Sequence, residues 1–267
     1  MQVIHETLPG GATIVGYLRD VTESMPDYNR RPAVLVMPGG AYEHCSVREG
    51  DPVALQFLAA GYQAFVLTYS TGENAGNWRP MIDAARAVAY LHKNAEALRI
   101  RPGQVAVCGF SAGGHLAACT GLLWDAGPLQ EALGADMPLG RPDAMILCYP
   151  LITMGQYGHA RCIQHITGGD PALREQFSLE KHIRPDTPPV FLWHTVTDDT
   201  VPVQNSLMLA EQLLEKHIPY EMHLFGSGEH GMGLCSVEVR HPDAHNARWF
   251  TLCREWLDKT FDFRTLA

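Results

Sequence analysis

The chain reads as an α/β protein, a mostly parallel sheet with helices on both faces. Two observations predict this. Runs such as residues 33–37 (AVLVM) are apolar throughout rather than alternating, as strands buried on both faces must be. From residue 33 onward such runs alternate with segments carrying apolar residues at helical spacing, which is the order of a parallel sheet. The elements follow in sequence. Strands at 3–7 and 12–18 are joined by the turn Pro9-Gly10-Gly11 and extend the sheet as antiparallel edge strands. Residues 33–37 form the first central strand, and Pro38-Gly39-Gly40 ends it. A helix over 52–60 has Asp51 as N-cap, Pro52 at its first position and Gly61 past its end. Residues 64–69 are a strand. Ile82, Ala85, Val88, Ala89 and Leu91 mark a helix over 81–98. Strands at 105–108, 144–149, 190–194 and 220–225 alternate with helices at 112–123, 203–217 and 246–261.

The length of 267 residues lies between one and two domains at about 150 residues each, but single α/β domains often reach about 250. A single domain is expected over 1–267. Its excess length falls in 151–189, weakly periodic and rich in Gly, Pro and His, which reads as a small cap over one end of the sheet. Hydrophobic residues make up 46% and charged residues 18%, enough for a large core and against disorder. The net charge of −9 argues against a nucleic-acid partner, which needs clustered Lys and Arg. Residues 105–124 lack Asp, Glu, Lys and Arg, but Ser111, His115, Thr120 and four glycines make them a buried strand, turn and helix rather than a membrane span. The first eight residues have neither a basic nor an apolar segment of a signal peptide. The odd count of 7 scattered Cys, without C-x-x-C, is neither a disulfide framework nor a zinc ribbon. Reduced thiols and a cytoplasmic location are expected. No metal or other cofactor is implied, and nothing in the sequence speaks to oligomeric state.

The strongest chemical signal is Gly109-Phe110-Ser111-Ala112-Gly113, a G-x-S-x-G motif between an apolar strand and a small-residue helix. Such a turn strains the serine and needs side-chain-free neighbours. Ser111 then projects over a helix N-terminus, where negative charge is favoured. No Gly-Lys-Ser/Thr follows, so the turn is not a phosphate-binding P-loop. A serine nucleophile needs a base, an orienting acid and an oxyanion hole, and on this fold the order is Ser, acid, His. That order, with His217 in a helix, His223 in a strand and His241 and His245 at a surface helix start, reduces the 13 His to His230, in the glycine-rich loop after the strand at 220–225. The acid lies after the strand at 190–194, where Asp198 and Asp199 are adjacent and only one can face the imidazole. The oxyanion donors are expected at the N–H groups of Gly40, Ala41 and Ala112. Tyr42, Tyr69, Trp78 and Tyr149 sit near predicted strand ends, where an aromatic ring either stacks on a sugar or walls the core. Tyr42 and Trp78 are the substrate-binding candidates. His241 and His245 stand four apart but have no third ligand, so no metal site follows.

These residues together resemble the α/β-hydrolase superfamily and, within it, the small esterase and acetylesterase branch with acetylxylan-esterase-like proteins. The resemblance rests on Pro38-Gly-Gly-Ala-Tyr42 with residues 46–50 (SVREG), Trp78-Arg79-Pro80 with Asp83, residues 107–118 (VCGFSAGGHLAA), Asp198-x-x-Val-Pro202 and Glu229-His230-Gly231. It spans nearly the whole chain. It implies Ser111 as nucleophile, Asp198 as orienting acid and His230 as base, and a serine esterase acting through an acyl-enzyme. Pro38 and Ala41 depart from the His-Gly-Gly-Gly of the broader lipase group. The expected substrate is a short-chain, acetyl ester on a small molecule or oligosaccharide, with no nucleic-acid or membrane partner. The alternatives are a peptidase of prolyl-oligopeptidase type, whose propeller domain is missing here, and a carboxylesterase or lipase on non-sugar esters.

Overall fold

The computed structural model describes residues 1–263. Eight strands form one sheet: β1 (Gln2–Thr7), β2 (Thr13–Leu18), β3 (Arg31–Met37), β4 (Gln63–Thr68), β5 (Ile100–Phe110), β6 (Ala144–Cys148), β7 (Val190–Thr195) and β8 (Tyr220–Phe225). Their order is β1-β2-β4-β3-β5-β6-β7-β8. The pairs β1–β2 and β2–β4 are antiparallel and all the others parallel. The two leading strands are therefore an antiparallel extension at one edge, as expected.

Period-two side-chain alternation splits the core between the two faces. Ala33, Leu35 and Met37 of β3, with Val105 and Val107 of β5, pack on one face. Val34 and Val36, with Ala106, Cys108 and Phe110, pack on the other. Helices α2 (Arg79–Lys93), α3 (Ala112–Leu122) and α7 (Gln204–Glu215) cover the first face through Val88, Leu116 and Leu213. Helices α1 (Asp51–Ala59) and α8 (Trp249–Thr260) cover the second through Phe57, Trp249 and Leu257.

Several boundaries differ from expectation. Gly50, not Asp51, occupies the cap of α1, because the Asp51 carboxylate accepts from the Tyr17 hydroxyl at 2.7 Å. α2 stops at Lys93 rather than residue 98: Asn94 turns its side-chain amide back onto the Tyr90 carbonyl. β5 starts at Ile100, ahead of Pro102 and Gly103, and the register shift between Arg31 and Ala33 absorbs that irregular stretch. Unexpected helical turns fill the chain between α3 and β6: α4 (Gly127–Leu133) and a 3-10 stretch over Gly134–Gly140. The segment 151–189 holds two short helices, α5 (Ala160–Thr167) and α6 (Pro171–Gln176).

The strand order places the site. From β3 the chain crosses to β4 on one side, then returns to β5 on the other. The carboxyl ends of β3 and β5 thus flank the point where the winding reverses, and a crevice opens there in sheets of this kind.

Candidate active site

Ser111 sits between β5 and α3 with φ 54° and ψ −118°, well outside the ordinary regions. Such a conformation costs on the order of 1–3 kcal/mol and persists only when its surroundings enforce it. They do so here. The Ser111 N–H donates to Cys148 O at 3.0 Å, and its carbonyl accepts from Leu151 and His115. A methyl group at position 109 would collide with the Gly113 carbonyl, and one at 113 with the carbonyls of Met37 and Pro38. The two glycines of the motif are therefore demanded by close backbone contact between β5, α3 and the end of β3.

His230 and Asp198 come from the loops after β8 and β7. Asp198 Oδ2 lies 2.6 Å from His230 Nδ1, and His230 Nε2 lies 2.7 Å from Ser111 Oγ. A carboxylate only accepts, so the Nδ1–H donates to Asp198 and Nε2 is left to accept from the Ser111 hydroxyl. Asp198 is buried, whereas Asp199 is exposed and, among the described residues, receives only the Thr200 hydroxyl. The second oxygen of Asp198 accepts from the N–H groups of Thr200 and Val201 at 3.0 and 2.9 Å. Burial by itself would raise the Asp198 pKa. The bonds from His194, His230 and Val201 overcome that and hold it below the ordinary carboxylate range.

His194, passed over in the sequence because it precedes the acid, touches this group. Its Nε2–H donates to Val201 O at 2.9 Å and lies 3.3 Å from Asp198 Oδ2, while its Nδ1 accepts from the Ser206 hydroxyl. It approaches the same carboxylate oxygen that accepts from His230.

The turn after β3 has its carbonyls tied back one after another. Pro38 O accepts from the Tyr69 hydroxyl at 2.6 Å, Gly39 O from Ser46 N, and Gly40 O from Glu43 N and His44 N. In a trans peptide the N–H points opposite to the C=O. The N–H groups of Gly40 and Ala41 are consequently turned away from those anchors. Gly40 (φ 124°) cannot be replaced without striking the His44 carbonyl. Ala112 is the first residue of α3, so its N–H has no partner inside the helix. Gly40, Ala41 and Ser111 line one open groove of about 280 Å³, together with His230, Gly231, Glu43, His44, Arg48, Glu49, His159 and Arg161.

The two substrate-binding candidates are not in this groove. Tyr42 is fully buried, and its hydroxyl donates to His115 Nδ1 at 2.8 Å, since His115 Nε2–H is spent on Phe177 O. Trp78, also buried, packs on Phe177 with ring centroids 4.7 Å apart. Both rings wall the core, Tyr42 at φ 60° and Trp78 at φ 62°. The groove is lined instead by residues the sequence left without a role, among them Arg48 and Glu49 of SVREG and His159 and Arg161 around the start of α5. Burial, then His230 and Arg161, lower the His159 pKa. A clue to the first pair lay in the position of SVREG directly after the glycine turn. Nothing local marked the second.

The family model described as BD-FAE matches residues 20–213. The chain is 38% identical over 214 residues to an endo-1,4-β-xylanase B of Butyrivibrio fibrisolvens, covering 78% of this chain and 34% of that protein. It is 26% identical over 217 residues to an acetylxylan esterase of Xylanibacter ruminicola, covering 78% of this chain and 42% of that protein. It thus spans well under half the length of these two curated relatives. Among solved structures, an acetyl ester-xyloside bifunctional hydrolase from Caldicellulosiruptor lactoaceticus superposes with a TM-score of 0.84 at 34% identity, covering 96% of this chain and 90% of that one.

Proposed function

Because the chain belongs to the BD-FAE family, an α/β-hydrolase family, we propose that Ser111, His230 and Asp198 make it a serine esterase for short-chain, acetyl esters, acting on acetylated oligosaccharides. The observation that carries this reading is the unbroken line of two short hydrogen bonds from Asp198 through His230 to Ser111. His230 Nε2 takes the Ser111 proton as Oγ bonds to the ester carbonyl carbon. The carbonyl oxygen becomes an oxyanion, held by the N–H groups of Gly40, Ala41 and Ala112. The carbon–oxygen bond to the alcohol then breaks, and His230 returns the proton to the departing alkoxide. Water repeats the two steps and releases the acid.

The substrate class draws on the groove and on the relatives. A groove of about 280 Å³ with charged and polar walls suits a small acyl group better than a long alkyl chain. Proteins named for xylan and acetyl-ester hydrolysis stand among the similar chains. The segment 151–189 acts as the cap, with His159 and Arg161 forming its side of the groove. The seven free thiols support a reducing, cytoplasmic setting.

The test is a chain-length series of p-nitrophenyl esters beside acetylated xylo- and manno-oligosaccharides and an aminoacyl-arylamide. Acetyl esters should be the best substrates, and an organophosphonate should label Ser111. Ser111→Ala should lower kcat by on the order of 10⁴-fold or more. Retained activity in that variant sinks the nucleophile assignment. A preference for long acyl chains sinks the acetyl assignment, and faster cleavage of the arylamide points to a peptidase.

A further inference from the structure

Glu49 is 2% exposed, yet its carboxylate has no basic partner recorded among the described residues. Both oxygens are used. Oε2 accepts from Gly39 N–H at 2.9 Å, and Oε1 accepts from the Tyr149 hydroxyl at 2.7 Å. Tyr149 is also buried, and its oxygen accepts from Gly233 N–H at 2.7 Å. Burial and the neighbouring Glu49 push the Tyr149 hydroxyl well above its usual pKa, so it stays protonated and donates.

Three segments distant in sequence meet in this short chain of bonds: the glycine turn after β3, the end of β6, and the loop that carries His230. The Tyr149 ring also stands edge-on to His230, with centroids 5.2 Å apart. A position beside Gly39 is simultaneously within reach of Glu49 Oε2, Phe110 O and Ser111 Cβ, so the carboxylate lies directly against the nucleophile turn. Fixing Gly39 N–H on Glu49 commits one peptide of the turn and leaves those of Gly40 and Ala41 for the groove. Fixing Gly233 N–H on Tyr149 anchors the loop three residues past His230.

We propose that Glu49 and Tyr149 are a pair of positioning residues that set the distance between the oxyanion turn and the histidine loop. The proposal rests on the esterase reading above. Neither side chain need touch the reacting atoms: each acts through the backbone it holds. Glu supplies two acceptors and Gln only one. Glu49→Gln therefore keeps the side-chain volume but either loses the Gly39 bond or leaves the Tyr149 hydroxyl proton without its acceptor. Tyr149→Phe keeps the ring against His230 but leaves Gly233 N–H and Glu49 Oε1 without their partner.

The experiment measures kcat, KM and thermal stability on p-nitrophenyl acetate, with the rate of organophosphonate labelling at Ser111, for the wild type, Glu49→Gln, Tyr149→Phe and the double variant. Tyr62→Phe is the control. It removes another buried tyrosine hydroxyl bonded to a carboxylate, that of Asp258 at 2.9 Å, away from the groove. Each single variant should lose 10- to 100-fold in kcat and in labelling rate, with KM within about threefold of wild type. The double variant should lose little more than the worse single one, because the two residues act as one unit. Tyr62→Phe should lose stability and keep kcat. Should Glu49→Gln fail to fold, the milder Tyr149→Phe carries the test against Tyr62→Phe. Wild-type turnover and labelling with kcat kept within twofold in the variants overturns the clamp and leaves the esterase reading standing. So do losses that multiply in the double variant. A wild type that neither hydrolyses the ester nor is labelled overturns the reading, and the clamp with it.

Discussion

Asp198 shows how much one side chain can be asked to do. It accepts from His230, from two backbone N–H groups, and approaches His194, all while buried. Asn at this position must keep its single acceptor oxygen on Thr200 and Val201, which turns its amide N–H₂ toward His230. Nδ1 would then have to accept, the proton would move to Nε2, and Nε2 could no longer take a proton from Ser111. Asp198→Asn should therefore lower kcat by on the order of 10⁴-fold while leaving the fold intact, as measured by steady-state kinetics beside circular dichroism. Activity near wild type would place the orienting acid elsewhere. Asp199→Asn, at an exposed position, should change kcat by less than about twofold. The motif around Ser111 and the loop around His230 were legible because each is written in five or so consecutive residues. The roles of Glu49, Tyr149 and His194 were not, because each depends on partners that only folding brings near: Glu49 and Tyr149 are 100 residues apart.

At the scale of the element, α3 presses against the end of β3, and the glycines at its start decide how closely. On helix propensity alone, Gly113→Ala inside α3 should gain about 1 kcal/mol. The new methyl group would, however, collide with the carbonyls of Met37 and Pro38, which belong to backbone and cannot rotate away. Overpacking of this kind costs about 1–3 kcal/mol or more and displaces the turn after β3. For Gly121→Ala, in the same helix, the nearest atoms belong to the flexible Met145 side chain rather than to backbone. Chemical denaturation should therefore rank the two, with Gly113→Ala less stable by about 2 kcal/mol or more and much less active. Equal stabilities would mean the close approach is not what selects glycine. The helix at 52–60 was readable from Pro52 and Gly61 at its two ends, and that at 203–217 was expected within two residues of its observed ends. The helical turns between α3 and β6 were not, because Pro138 and the glycines at 127, 134 and 140 read locally as breaks, although Pro128 sits in the first turn of α4, where proline is tolerated.

Across the molecule, His115 ties the turn after β3 to the segment 151–189. It bonds Tyr42 on one side and the Phe177 carbonyl on the other, with no exposure to solvent. Burial lowers its pKa to about 4, against an ordinary value of 6.5. Between those values the unfolded chain binds the extra proton and the folded chain does not, so stability rises with pH across that window. The gain approaches about 3 kcal/mol from this one group. Asp198, shifted the opposite way from burial alone, also favours the folded state as pH rises, but in the window below about 4, so the two contributions separate. Denaturant unfolding at pH 4.5 and 7.5 should show the rise in the wild type and a flatter dependence in His115→Gln. Identical slopes would mean that His115 does not titrate in that range.

The sequence alone determined the βα order, the burial of the central strands on both faces, and the glycine-framed serine turn. Each of these is a consequence of short-range periodicity or of backbone crowding within a few residues. Tertiary structure decided which aspartate faces the imidazole, that Tyr42 and Trp78 belong to the core rather than the groove, and that Glu49, His159 and Arg161 line it. The reason is the reversal of winding at β3: it brings the ends of β3, β5 and β6 and the loop after β8 to one crevice, and which side chains meet there depends on sheet register, not on any local pattern.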